Sequence, residues 1–179
     1  MKEALLIIDL QNDYFCGGKM ELEGVEEALN KTNELISYAR THEYEIFFIQ
    51  HFSTREGATF FIPETKGVEL HESLDFTNDT IIKKNYPNSF RETSLQEHLD
   101  KEKIKELIIC GAMTHMCIES TVRAGFDLGY KITLASDACA TRSLNYNQQT
   151  IKAKDVQLSC IASLNGIFCQ AKLVKEINT

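Results

Sequence analysis

A cysteine at the junction of a predicted strand and a predicted helix has the clearest chemical potential in this sequence. Residues 107–110 form a short apolar run, which is typical of a strand buried on both faces, and Gly111 ends it. From Cys117 onward, apolar residues recur every four positions as far as Phe126, which indicates a helix. Backbone N–H groups at a helix N-terminus lower the pKa of a thiol and can hold an oxyanion. Cys117 is therefore a candidate nucleophile, and the alternative is an inert buried cysteine.

Two charged residues also follow predicted strands. Asp9 comes directly after the apolar run 4–8, and Lys84 directly after the short run 80–83. Parallel sheets bind ligands beyond the carboxyl ends of their strands, so we expect both side chains near Cys117. A buried carboxylate can take the proton of a thiol and later activate water, and an ammonium can stabilise both negative charges. This set predicts acyl transfer to water, most simply from an amide. The alternatives are a capping carboxylate and a solvated lysine.

Strand and helix patterns alternate along the whole chain. This alternation predicts a single α/β domain, residues 1–179, built on a parallel, doubly wound sheet. Besides the three strands above, strands are predicted at 45–50, 131–135 and 167–174, which makes six. Helices are predicted at 26–40, after a capping box that starts at Ser94, at 117–128 and at 148–164.

Residues 51–78 show little periodicity, and segments of this length are often lids or binding loops. Within them, residues 60–62 (FFI) are consecutive apolar residues that should either line a pocket or contact another subunit. The candidate pocket walls are Phe15, His51, Phe60, Phe61 and Tyr86, and a plain core role is the alternative for the four Phe and Tyr residues.

Composition excludes several classes of protein. The formal net charge of -7 and the pI near 5.3 argue against a nucleic-acid partner and against an anionic membrane surface. The 6 cysteines include no CxxC pair, which disfavours zinc knuckles and thioredoxin motifs. Neither a signal-peptide pattern nor a stretch of membrane-spanning length occurs. We expect a reduced, cytoplasmic protein that acts on a small molecule.

Four segments, in order and at suitable spacing, resemble the isochorismatase-like cysteine hydrolases, the superfamily of the nicotinamidases and N-carbamoylsarcosine amidohydrolases. The resemblance covers nearly the whole chain. The segments are residues 9–14 (DLQNDY), 84–90 (KNYPNSF), 111–117 (GAMTHMC) and 136–140 (SDACA).

The resemblance implies a three-layer α/β/α fold with a six-stranded, parallel, Rossmann-like sheet. It implies a catalytic triad of Asp9, Lys84 and Cys117, with Cys117 as the nucleophile. It further implies a cis peptide bond between Ala112 and Met113, and an oxyanion hole formed by backbone N–H groups near Met113 and Cys117. A homodimer or a higher homo-oligomer is also implied.

The sequence departs from the nicotinamidase branch, which carries a metal site of an aspartate and histidines after the second strand. Here that strand leads into His51, and no aspartate follows before Asp75. Because His51 and His71 alone are a poor ligand set, we expect no metal and no other cofactor, and nicotinamide becomes a less favoured substrate. His51 is then a pocket wall or a structural histidine. His115, two residues from Cys117, is interpreted as structural because the family pattern gives the role of base to a carboxylate.

Three hypotheses follow from the residues and the resemblance. The first is a metal-independent hydrolase that cleaves a C–N bond of an amide or ureide through a Cys117 thioester. The second is a vinyl-ether hydrolase of the isochorismatase type, which would use Asp9 and Lys84 without covalent catalysis; the presence of Cys117 argues against it. The third is a non-catalytic binding protein on the same fold, which retention of all three polar residues disfavours.

Overall fold

A six-stranded parallel sheet forms the centre of the protein in the computed structural model, which describes residues 2–77 and 79–178. Asn78, the end of the predicted segment 51–78, lies outside the described residues, as do Met1 and Thr179. The spatial order of the sheet is β3-β2-β1-β4-β5-β8. Its strands are β1 (Lys2–Ile8), β2 (Glu45–His51), β3 (Thr80–Lys84), β4 (Ile104–Ala112), β5 (Lys131–Ala140) and β8 (Gln170–Lys172).

Helices cover both faces of this sheet. They are α1 (Val25–Thr41), α2 (Leu95–Lys101), α3 (Glu119–Asp127), α4 (Ala153–Leu164) and α5 (Val174–Ile177). One apolar core holds the buried apolar residues of α1 and α5, and the other holds those of α2 and α3 together with Leu164 of α4. Alternate residues of β1 enter the two cores, Leu5 and Ile7 on one side and Leu6 and Ile8 on the other. This confirms the predicted three-layer α/β/α fold and explains the continuous apolar run of a strand buried on both faces.

The predicted elements after residue 130 needed the largest corrections. β5 extends to Ala140 rather than 135, and the sixth strand is only three residues long because α5 begins at Val174. The helix predicted at 148–164 begins at Ala153. The preceding residues form an antiparallel hairpin of β6 (Leu144–Tyr146) and β7 (Gln149–Ile151). Its two turn residues, Asn147 and Gln148, both have positive φ, as a type I′ hairpin turn requires.

The short helix α2 forms where predicted, but the capping box does not. Ser94 is its N-cap residue and makes no side-chain capping bond. The Thr93 hydroxyl accepts a hydrogen bond from the Leu95 N–H at 3.3 Å instead. The cap is therefore shifted by one residue, which a search for the S-x-x-E spacing does not detect.

The strand order places the candidate residues at one edge of the sheet. The connections run outward from β1 through β2 to β3, then return to β4 on the other side of β1. Such a reversal opens a crevice beyond the carboxyl ends of the two central strands. Asp9 follows β1 and Met113 follows β4, while His51 and Lys84 end β2 and β3. In the part of the chain that the structure describes, no helix is long and apolar enough to cross a membrane.

Candidate active site

The Lys84 ammonium connects the two other members of the predicted triad. Its Nζ lies 2.7 Å from Asp9 Oδ2 and 3.3 Å from Cys117 Sγ. It also lies 3.0 Å from Nδ1 of His51. Asp9 and Lys84 are almost completely buried, and their side chains form an ion pair with no solvent contact. The fold thus brings together three side chains that are 75 and 33 residues apart along the chain.

Close packing of β1 and β4 positions two of these side chains. Gly111 has a φ of 118°, and a Cβ at this position would overlap with the carbonyl oxygen of Ile8. Only glycine therefore lets the two backbones approach just before the loop that leads to Cys117. Asp9 follows Ile8 with a φ of 52°, and its N–H donates to Ile49 O at 3.0 Å.

The backbone that carries Cys117 differs from the predicted one. A π-helical turn spans Thr114–Ile118, and the α-helical part starts only at Glu119. The Ile118 N–H donates to Met113 O at 3.3 Å, the i→i−5 bond of a π-turn. The Thr114 hydroxyl fixes the start of the turn by donating to Ala140 O at 3.1 Å. Cys117 is consequently the fourth residue of the helical segment rather than its first.

The peptide bond between Ala112 and Met113 is cis, as the resemblance implies. It lies between the end of β4 and the π-turn, and Met113 and Cys117 both line the same cavity. Backbone N–H groups of this loop are therefore near the thiol. Their role as an oxyanion hole stays a prediction.

The ionisation of Cys117 is opposite to the expectation from its position at a helix start. Burial raises the pKa of the Cys117 thiol well above its usual range, and the Asp9 carboxylate raises it further. The Lys84 ammonium lowers it, but this effect is smaller. The resting thiol is therefore protonated, and attack on a substrate requires a base. Oδ1 of Asp9 is buried and has no hydrogen-bond partner among the described residues, so it is free to accept that proton.

Lys84 is charged at pH 7, whereas His51 is neutral. Burial lowers the pKa of Lys84, but Asp9 and Cys117 outweigh it, and the net result is a raised pKa. Lys84 therefore remains an ammonium. Burial lowers the pKa of His51 to about 4, and the positive charges of Lys84 and Arg55 contribute to this although Asp9 opposes them. His51 is thus neutral at pH 7, and its Nδ1 can accept a hydrogen bond from Lys84.

Cys117 faces a cavity of about 480 Å³. Three of the five predicted pocket residues line it, namely His51, Phe60 and Tyr86. Sequence reasoning missed the rest of the wall. The missed lining residues, apart from the two methionines of the Cys117 loop, are Tyr14, Ser53, Thr54, Arg55, Asn85 and Pro87.

Phe15 and Phe61 do not line this cavity, which corrects two predictions. Phe15 lines a separate cavity of about 600 Å³, and its ring stacks on His71 at a centroid distance of 3.9 Å. Tyr14 takes the predicted place because residues 12–14 form a 3₁₀ turn, in which successive side chains point about 120° apart. Phe61 is buried behind the wall, with its ring 4.5 Å from that of Tyr14.

Two polar residues of the segment after β1 hold the wall in place. The Gln11 side chain accepts a hydrogen bond from the His51 N–H at 2.7 Å and donates to the carbonyl oxygens of His51 and Val68. The buried Asp13 carboxylate accepts from the Phe61 N–H at 2.6 Å. These bonds tie the long loop after β2 to the strand that ends at Asp9. The loop carries Phe60 and Arg55 to the cavity.

His115 is bound away from the thiol. Its Nδ1 lies 2.6 Å from the Thr141 hydroxyl, and burial followed by the charge of Arg142 lowers its pKa. These contacts agree with the structural interpretation of His115. The carboxylate of Asp9 is better placed than this imidazole to act on Cys117.

Comparison with known proteins places the chain in a family. A model described as the isochorismatase domain matches residues 3–161. The chain belongs to the isochorismatase family. The isochorismatase family protein YddQ of Bacillus subtilis (strain 168) is 42% identical over 173 residues, which cover 96% of both proteins. Nicotinamidase 3 of Arabidopsis thaliana is 29% identical over 161 residues, 83% of this chain and 78% of that protein.

A solved structure shows the same architecture. The crystal structure from Oleispira antarctica that is assigned to the isochorismatase hydrolases superimposes with a TM-score of 0.94 and 37% sequence identity. The match covers 99% of this chain and 96% of that chain. Together with the family, these similarities show that the protein is a hydrolase.

The residues present do not fit the metal site of the nicotinamidase branch. Among the described residues, one group of potential ligands lies close together, with ligand atoms of Asp9, His51 and Cys117 within 4.8 Å of one another. The Lys84 ammonium is in hydrogen-bond contact with all three side chains. A metal ion bound there would be repelled by this buried positive charge. His71 does not belong to the group.

Dialysis against a strong chelator should therefore leave hydrolytic activity unchanged. The physical reason is that the Lys84 ammonium already supplies the positive charge in this group. The measurement is the rate of amide hydrolysis before and after dialysis, with metal content determined on the same samples. A reproducible loss of rate that zinc, manganese or iron restores would contradict this expectation and show a metal site near His51.

Proposed function

We propose that this protein is a metal-independent cysteine hydrolase that cleaves the C–N bond of a small amide or ureide through a thioester on Cys117. The observation that carries the proposal is the contact of one buried ammonium, Lys84, with both Asp9 and Cys117 at the end of a closed-in cavity. A relative that bears the name nicotinamidase supports an amide as the substrate class. Nicotinamide itself is less favoured because the metal site of that branch is not matched here.

The first half of the reaction transfers the acyl group to sulfur. Asp9 takes the proton of the Cys117 thiol, and the thiolate attacks the substrate carbonyl carbon. Backbone N–H groups near Met113 and Cys117 stabilise the oxyanion of the tetrahedral intermediate. The intermediate collapses, the C–N bond breaks, and Asp9 returns its proton to the leaving nitrogen. The products of this half are an amine or ammonia and a thioester on Cys117.

The second half releases the acid. Asp9, again a carboxylate, takes a proton from a water molecule that attacks the thioester carbonyl carbon. The C–S bond breaks, and the thiolate of Cys117 recovers the proton from Asp9. Lys84 keeps its charge throughout, because its raised pKa prevents loss of a proton near neutral pH. Its positive charge stabilises the Asp9 carboxylate and the thiolate in turn.

The thioester distinguishes this mechanism from vinyl-ether hydrolysis, which needs no covalent intermediate. We suggest screening small amides and ureides, quenching the best substrate in acid during turnover, and measuring the intact mass of the protein. The expected result is an added acyl mass that maps to the peptide containing Cys117. Turnover without any acyl adduct, under conditions in which the adduct should accumulate, would contradict the proposed intermediate.

The location, the oligomeric state and the partners of the enzyme are also proposed here. We propose a cytoplasmic homo-oligomer, at least a dimer, that acts on a small molecule rather than on nucleic acid or a membrane. A pocket role for Phe60 is supported by its place in the wall of the Cys117 cavity, where its ring lies 6.0 Å from that of Tyr14. A contact of the Phe60 region with another subunit stays a prediction.

A further inference from the structure

Positive and negative charges are not equal in number on the wall of the cavity that contains Cys117. Among the described residues that line it, none is an aspartate or a glutamate, and Arg55 is the one lysine or arginine. His51 is neutral at pH 7, since its pKa is lowered to about 4, and Cys117 is a protonated thiol. Asp9 and Lys84 neutralise each other in a buried ion pair behind it. The one formal charge on the described wall of the cavity is therefore positive, although the whole chain has a formal net charge of -7.

Arg55 differs from the arginines elsewhere on the surface. Arg40 binds Asp75 and Asp79, Arg123 binds Glu119, and Arg91 lies 3.5 Å from a carboxylate oxygen of its neighbour. In the described part of the chain, Arg55 has no carboxylate partner and makes no side-chain hydrogen bond. It is nevertheless close enough to His51 to lower the pKa of that residue. A guanidinium that lines a cavity and has no carboxylate partner is suited to bind an anionic group of a ligand, often through two parallel hydrogen bonds.

A second arginine acts on the same cavity from another element. Arg142 follows the strand β5, and within the described residues it also has no carboxylate partner. Its Nε is buried without a hydrogen bond, and its Nη1 donates to Ser143 O at 3.3 Å. Its charge opposes the rise in pKa that burial causes at Tyr14, which lines the cavity, while the Asp9 and Asp13 carboxylates add to that rise. Two guanidinium groups that have no carboxylate partner among the described residues therefore add positive charge near the cavity, from the loop after β2 and from the end of β5.

The remaining lining residues define the rest of the ligand. Tyr14, Phe60 and Tyr86 offer aromatic surface, and the hydroxyls of Ser53 and Thr54 lie beside Arg55 in the sequence. Cys117 requires a carbonyl carbon near the thiol. A ligand that matches this arrangement has an amide at one end, an apolar or aromatic body, and an anionic group at the other end.

We propose that the substrate is a small amide that carries a carboxylate, and that Arg55 binds this carboxylate at the solvent-exposed end of the cavity. This inference rests on the proposed function, because the amide is placed at Cys117. It makes Arg55 a specificity-determining residue. Amides with a positive charge in the same position should be excluded by repulsion.

Binding to a Cys117→Ala variant tests this proposal without turnover. We suggest calorimetric titration with two matched pairs, 3-carbamoylbenzoate against 3-nitrobenzamide and succinamate against 3-nitropropanamide. In each pair a nitro group replaces the carboxylate with a similar shape and no net charge. The anionic member should bind at least about tenfold more tightly, which corresponds to about 1.4 kcal/mol. The preference should decrease as salt is raised, because the guanidinium is exposed.

Arg55 variants on the Cys117→Ala background decide which residue is responsible. Arg55→Gln should remove the preference for the anion, and Arg55→Lys should retain part of it. Lys154→Gln is the matched control, because it removes the same charge from an exposed position on α4 that lines a different cavity. Thermal unfolding checks that each variant is folded.

The outcomes separate this proposal from the proposed function. Equal affinity for both members of the pairs, no binding of the anions, or a preference that survives Arg55→Gln would each overturn the assignment of Arg55. None of these results concerns the thioester. Conversely, absence of the acyl adduct on Cys117 would refute the mechanism and leave an Arg55-dependent preference for anions intact.

Discussion

Replacement of Cys117 by alanine should abolish turnover of any amide that the wild-type enzyme hydrolyses. The thiol is the atom to which the acyl group is transferred, and no other cysteine lines the cavity among the described residues. Loss of a nucleophile costs several powers of ten in rate, and we expect a decrease of at least about 10⁴-fold in kcat. The measurement is release of ammonia or amine, with enzyme concentration raised to detect residual activity.

The fold should survive this change. Cys117 is buried in the apolar core with Ile118 and Val122, so loss of its sulfur leaves a small void that costs about 1 kcal/mol. Cys160→Ala is the matched control, because Cys160 is a half-buried thiol on α4 and should leave kcat unchanged. Turnover near the wild-type level in Cys117→Ala would refute the covalent mechanism.

Asp9→Asn and Lys84→Met should each reduce the rate by at least about 10²-fold, the scale expected for loss of a positioned proton-transfer group or its charge partner. Asparagine keeps the shape of Asp9 but cannot accept the thiol proton. Methionine keeps the length of Lys84 but removes the positive charge from both Asp9 and Cys117. Both variants are compared with the wild type by kcat and by iodoacetamide labelling of the thiol.

Stability must be measured on the same variants, because both residues are buried. Removal of one partner leaves an uncompensated charge, and such changes cost about 3–5 kcal/mol. The double variant Asp9→Asn/Lys84→Met removes both charges and should therefore be more stable than the sum of the single effects predicts. It should remain inactive. If folded samples of only one single variant lost activity, the other residue would have no part in the triad.

The order of elements up to residue 130, and the residues that meet at the site, could be predicted from the sequence. Asp9, Lys84 and Cys117 could be selected because each lies at the carboxyl end of a predicted strand or just past it, and parallel strands share one carboxyl edge. The apolar runs identified the buried strands because both faces of each strand are covered by helices. The glycine at 111 was visible as the end of a run. Its close approach to Ile8 could not be predicted, because the two residues are far apart in sequence.

The charge state of Cys117 and the residues that line its cavity could be derived only from the tertiary structure. Local sequence predicted a lowered thiol pKa at a helix start, whereas burial beside Asp9 raises the pKa of Cys117. Tyr14 lines the cavity instead of Phe15 because of the direction of the side chains in a three-residue turn. This direction cannot be derived from the residue types. Arg55 lies in a segment without periodicity, so its place at the cavity could not be derived from a pattern. Desolvation, side-chain direction and unpaired charge all depend on neighbours that are distant in sequence, and these neighbours meet only in the folded chain.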